Sequence, residues 1–106
     1  MGWQIIIAPS AQADLADIVR YIAQHNSDAA ARLGYQLITR TEILANFPEI
    51  GRVVPEFQQS NLRELICRSY RIIYRLHRDE CRIDIVRFWH GARGFPRIPR
   101  AGSGSM

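Results

Sequence analysis

Lysine is missing from this sequence: all fourteen basic residues are arginine. Every positive side chain is therefore a planar guanidinium that holds its charge at any physiological pH. A genome that favours arginine codons explains the exchange of one basic residue for another, but not where the arginines fall. Cysteine is scarce as well, with only Cys67 and Cys81 and thirteen residues between them. Two cysteines without C-x-x-C spacing make neither a zinc site nor a disulfide framework. They read as two half-buried thiols on neighbouring strands. Long apolar runs are also missing, the stretch Ile5 to Ala8 being typical. A spanning helix needs about 20 apolar residues, so no membrane crossing is expected. The first residues lack a basic region followed by an apolar stretch and a small-residue cleavage site, so a cytoplasmic location is expected. No internal repeat, metal-ligating pattern or cofactor motif is visible, and no cofactor is expected.

What is present fits one domain over residues 1–100, since 106 residues leave little room for a second core. The tail Ala101–Gly–Ser–Gly–Ser–Met106 has flexible-linker composition, of the kind a cloning scar leaves. Charge is distributed unevenly. Residues 1–50 carry three arginines against five carboxylates, a net of −2, and residues 51–100 carry eleven against five, a net of +6. A basic half beside a mildly acidic one implies a polyanionic or acidic protein partner.

Residues 3–8 are apolar and β-branched up to Pro9, which predicts a short first strand. Ser10 is placed to cap a helix on which Leu15, Ile18, Val19 and Ile22 form one apolar stripe, ending near His25. Asp14, Asp17, Arg20 and Gln24 fall off the stripe and are expected to face water. Asn26, Ser27 and Asp28 break the chain and cap a second helix carrying Leu33, Leu37, Ile38 and Leu44, which ends before Pro48. So short a turn makes the two helices an antiparallel hairpin, and Gly34 permits close approach of its neighbour. Turn chemistry from Phe47 to Arg52 opens a loop expected to run to about Ser60. The period then changes to two, predicting strands over Leu62–Arg68, Tyr70–His77 and Cys81–Trp89. In the last of these, Ile83, Ile85 and Arg87 alternate with Asp84, Val86 and Phe88. The fold class is α+β, in the order β-α-α-β-β-β, with a helical hairpin laid on a mostly antiparallel sheet. Leu15, Ile18, Ile22, Leu37, Leu44, Ile72, Tyr74, Ile83 and Ile85 are expected to share one core.

Four segments together resemble the ParE/RelE toxin superfamily of type II toxin–antitoxin systems. They are A-x-x-D-L-x-D-I-x-x-Y-I-A (Ala11 to Ala23), F-P-E-I-G-R (Phe47 to Arg52), Y-R-I-I-Y-R (Tyr70 to Arg75) and R-F-W-H-G-A-R (Arg87 to Arg93). The resemblance spans roughly residues 3–95 and implies a toxin neutralised by a cognate antitoxin in a hetero-oligomer. Within the superfamily, RelE-like members cut mRNA on the ribosome and ParE-like members poison DNA gyrase. The ending His90–Gly91–Ala92–Arg93 is similar to the ParE side, and the lack of lysine excludes the lysine-based nuclease variant. A variant using a carboxylate, an arginine and a histidine stays open, as does a member that has lost toxicity.

Metal-free RNA cleavage needs a base, an acid and a cation for the phosphate. Glu56 or Glu64 fits the base, His90 the acid, and Arg71 or Arg75 the clamp. The plainer alternative makes Glu56 a solvated loop residue, pairs Glu64 with a neighbouring arginine, and bonds His90 to backbone. For a protein that acts by binding, Arg71, Arg75, Arg87, His90 and Arg93 are the expected contacts to target or antitoxin. The aromatics Tyr70, Tyr74, Phe88 and Trp89 either stack bases beside these arginines or form core under the hairpin, and Trp3 reads as core or sheet edge.

Overall fold

The computed structural model describes residues 2–100; the expected flexible tail at 101–106 lies outside the described residues. Strand β1 (Gln4–Ile7) leads into helix α1 (Pro9–Ala23), and α2 (Ser27–Thr41) continues into a short 3₁₀ turn at Glu42–Ala45. Strands β2 (Arg52–Val53), β3 (Leu62–Cys67), β4 (Tyr70–His77) and β5 (Arg82–His90) complete one sheet, ordered β1-β5-β4-β3-β2. Only β1 runs parallel to its neighbour β5; the other pairs are antiparallel. This is the helical hairpin on a mostly antiparallel sheet that the residue pattern predicts, with β2 as an extra strand too short to show a period.

The second helix starts where the polar break places it, with Asn26 Oδ1 accepting from the Ala29 amide at 3.0 Å. The first does not. Pro9 takes the first helical position, where its missing N–H costs nothing. Ser10 therefore lies inside the helix, and its hydroxyl donates to the Val86 carbonyl at 2.6 Å instead of capping. Gly34 permits the close approach expected of it, since a Cβ there would lie 3.2 Å from Val19 Cγ2.

The sheet buries both faces. Toward the helices, Leu37, Leu44, Ile72, Tyr74, Ile83, Ile85 and Phe88 are fully buried, with Leu15 and Ile18 packed against them in part. Ile22 is half-buried and stands outside this cluster. On the other face Val54, Leu62, Ile73 and Val86 form a second, smaller core under Phe57 and Ile98. Apart from Ile22, the residues expected to share one core do so on the helix side; the second core is additional. The alternation of the pleat divides the two cores, Ile73 facing away from Ile72 and Tyr74. Strand β5 departs from it at a register shift, where Ile73 pairs with Arg87 but Tyr74 with Ile85, leaving Val86 unpaired as a bulge. Beyond it the alternation inverts, so Phe88 joins Ile85 on the helix side, contrary to strict period two. Cys67 is half-buried at the end of β3. Cys81 is exposed in a left-handed turn before β5, so the thiols are not a pair on neighbouring strands.

Candidate functional site

The face of the sheet away from the helices carries a chain of charges. Glu64 has no solvent-accessible side-chain surface, and its two oxygens accept from Arg52 Nε at 2.6 Å and Arg71 Nε at 2.5 Å. Arg71 reaches on with both terminal nitrogens to Glu56, at 3.0 and 2.8 Å, the fork-on-fork geometry that suits guanidinium and carboxylate. That bonding by Arg71 holds the Glu56 carboxyl below its ordinary range, and the Glu56 partner raises Arg71 further above its own. Two cations and two carboxylates thus neutralise one another.

Along the same face, Arg75 is buried and Arg87 grips Asp14 of α1 with two bonds of 2.7 Å. Asp14 Oδ2 also accepts from the Phe88 amide at 3.1 Å, capping β5 where β1 no longer pairs with it. Asp14 is therefore not the water-facing residue expected. It stands beside Leu15 at the border of the apolar stripe, and that position was the one available hint. Two guanidiniums stack on the Trp89 ring, Arg87 at 4.7 Å and Arg93 at 4.1 Å from its centre.

His90 belongs to the other side. It pairs across the ladder with Tyr70, and the two rings meet edge to face at 5.1 Å. Its Nδ1 accepts from the Ala92 amide at 3.0 Å, so the proton of a neutral ring sits on Nε2. Burial raises the Tyr70 hydroxyl's pKa, so it keeps its proton. Together with Arg93, Asp14, Asp17, Ile18, Tyr21 and Phe88 they line a cleft of about 540 Å³ between α1 and the end of β5. A second cleft of about 330 Å³, lined by Arg32, Gln36 and Arg68 among others, adjoins the first at Tyr70 and His90.

The structure thus joins Glu56, Glu64 and Arg71 in one network and places His90 across the sheet from them. Arg75 and Arg87 share the network's face; Arg93 bridges from Trp89 to the His90 cleft. Of the four aromatics, Tyr74 and Phe88 are core, while Tyr70 and Trp89 border the clefts and the arginines. Among the described residues no three His, Cys, Asp or Glu side chains group as metal ligands would, and no helix is long and apolar enough to cross a membrane.

Comparison with known proteins agrees with this architecture. Toxin RelE2 of Caulobacter vibrioides is 36% identical over 90 residues, covering 85% of this chain and 97% of that protein. Among solved structures, the chromosomal ParDE toxin–antitoxin system from P. aeruginosa superposes with a TM-score of 0.68 at 18% identity, covering 83% of this chain and 95% of the other. The RelBE2 toxin–antitoxin complex from Mycobacterium tuberculosis gives 0.54 at 16%, covering 85% and 99%. These two share the fold. The model of the ParE toxin of type II toxin–antitoxin systems matches residues 5–95, and the chain belongs to that family.

Proposed function

We propose that this toxin acts in the ParE manner, by binding and inhibiting DNA gyrase, and that a cognate antitoxin neutralises it. The observation that carries the reading is the separation of the nuclease candidates. Arg71 is spent on Glu56 and Glu64, and the imidazole that would protonate a leaving oxygen stands on the opposite side of the sheet. A base, a clamp and an acid must converge within hydrogen-bond reach of one phosphate, and these do not. A poison that works by occupying a surface has no such requirement. Support for the antitoxin comes from the two solved neighbours, each a toxin–antitoxin system, and from the basic half of the chain, which suits an acidic tail folding on binding. Arg75, Arg87 and Arg93 are the proposed contacts, with Arg71 and His90 beside them.

A second reading has its own observation. His90, with Nε2 free to donate, lies in a cleft with Tyr70 and the Arg93 guanidinium, an acid and a cation side by side. That set would serve an endoribonuclease acting on mRNA at the ribosome, and the relative at 36% identity carries the name RelE2. Two assays run together separate the readings: gyrase supercoiling, and translation-dependent mRNA cleavage. The expected outcome is inhibited supercoiling with intact mRNA, and largely intact toxicity for Glu56→Gln and His90→Ala. Cleaved mRNA that either substitution abolishes, with folding preserved, moves the protein to the nuclease class. Inactivity in both assays with intact antitoxin binding marks a member that has lost its toxicity.

A further inference from the structure

Residues Gly94–Arg100 have no regular secondary structure, yet they lie along the sheet face that carries the arginines. Three side chains of β4 and β5 donate to backbone carbonyls of this segment: Trp89 Nε1 to Gly94 at 3.2 Å, Arg87 to Arg97 at 2.7 Å, and Arg75 to Pro99 at 2.6 Å. Phe95 rests on Phe57 with ring centres 5.2 Å apart, Pro96 is buried, and Ile98 packs on the second core. Most of the segment falls beyond residue 95, where the family match ends.

The electrostatics of this arrangement are unfavourable. Arg75 is only 8% exposed, and among the described residues no carboxylate lies within ion-pair distance of it. Burial lowers its pKa, with Asp84 the opposing influence from a distance. A buried cation is ordinarily paired with an anion; here it has a neutral carbonyl. The segment itself brings two more positive charges, Arg97 and Arg100, to the half of the chain that already holds the excess. Apolar contacts and carbonyl oxygens hold it down against charge of its own sign.

We propose that Gly94–Arg100 is a displaceable strap, an intramolecular stand-in for an extended acidic peptide that binds the same face and brings carboxylates to Arg75 and its neighbours. The idea rests on the antitoxin reading above for the identity of that peptide. The toxin then engages its partner only in the fraction of molecules whose strap is released, and association slows in proportion to that fraction. Ile98 is the apolar latch; Arg97 and Arg100 are the charges that keep the latch weak.

The test uses the full chain, its Ile98→Ser variant and its Arg97→Glu/Arg100→Glu variant. The Ile98 change leaves net charge alone, so association with the antitoxin encoded beside the toxin gene should accelerate on the order of tenfold, with amide shift changes confined to the strap and the β4 and β5 residues it covers and the rest of the sheet unmoved. An unchanged rate in a folded variant overturns the proposal. In the free toxin, amide relaxation should show residues 95–100 more mobile than β4, and less mobile once the two arginines become glutamates. If no protein binds the antitoxin, the functional reading fails, and relaxation alone decides the strap. Mobility equal to that of β4, or indifferent to charge reversal, overturns it; the expected difference upholds it.

Discussion

A methyl group placed on Gly51 would lie 2.5 Å from the Glu64 carbonyl oxygen and 2.6 Å from the Tyr74 hydroxyl. That hydroxyl accepts from the Gly51 amide at 3.0 Å and donates to the Pro48 carbonyl at 2.9 Å. The F-P-E-I-G-R segment looks in the sequence like ordinary turn chemistry, but its glycine answers to a tyrosine more than twenty positions away. Gly51→Ala should therefore cost about 1–3 kcal/mol in urea titration, the usual penalty of overpacking. The carboxylates make a second contrast at this scale. Glu64→Gln removes the charge that two arginines share in a buried position, and a loss of about 3 kcal/mol is expected. Glu56 stands partly in solvent, so its effect appears in the pH profile. Its folded pKa is depressed below the ordinary 4.5, so its contribution is complete above that value and disappears as pH falls through the lower, folded one. In Glu56→Gln the acid limb of the stability curve should be shallower than in the parent chain, and identical limbs would remove Glu56 from the network's energetics. The sequence displays each of these side chains but not which arginine each carboxylate meets.

At the scale of elements, both helices and the three long strands follow from periodicity, because each buries one face over many residues. β2 escaped because two residues have no period. The C-terminal segment escaped because it packs without regular structure. The bulge at Val86 leaves a mark in the sequence that strict alternation passes over, because the apolar positions change phase there, from Ile83 and Ile85 to Val86 and Phe88. With the bulge unseen, Arg87 and Phe88 are assigned to the wrong sides and the tie between β5 and α1 is hidden. That tie carries the next prediction. Asp14→Ala deprives Arg87 of its anion and the Phe88 amide of its acceptor, so it should cost about 2–3 kcal/mol. Asp17→Ala, on the exposed next turn, should stay within about 0.5 kcal/mol. Equal effects from the two would mean that the helix is held to β5 by its apolar stripe alone. The same bulge explains why the site was only half legible: His90 and Arg71 belong to adjacent strands in sequence, yet they serve opposite faces.

Over the whole molecule, the basic excess of residues 51–100 sits on the sheet and the segments that cover its second face, while residues 1–50 supply both helices. A partner of opposite sign approaches this asymmetry under steering, so its association rate should fall as salt rises while its dissociation rate stays nearly constant. Stopped-flow mixing with the antitoxin at low and high salt checks this, and a salt-indifferent association rate counts against electrostatic capture. The parallel pairing of β1 with β5 matters at this scale in another way. Residue 4 finds its ladder partner at residue 82, and on a ribosome adding about 5–20 residues each second the wait lasts roughly 4–16 s. Throughout that interval Ile5, Ile6 and Ile7 are an apolar strand without a neighbour, the kind of segment that chaperones hold and that aggregates when they do not. Nascent chains stalled before Arg82 should leave these three residues open to protease, and chains that have released β5 should close them. The toxin's sheet is therefore completed only once β5 has been made, and a product interrupted before Arg82 cannot assemble it.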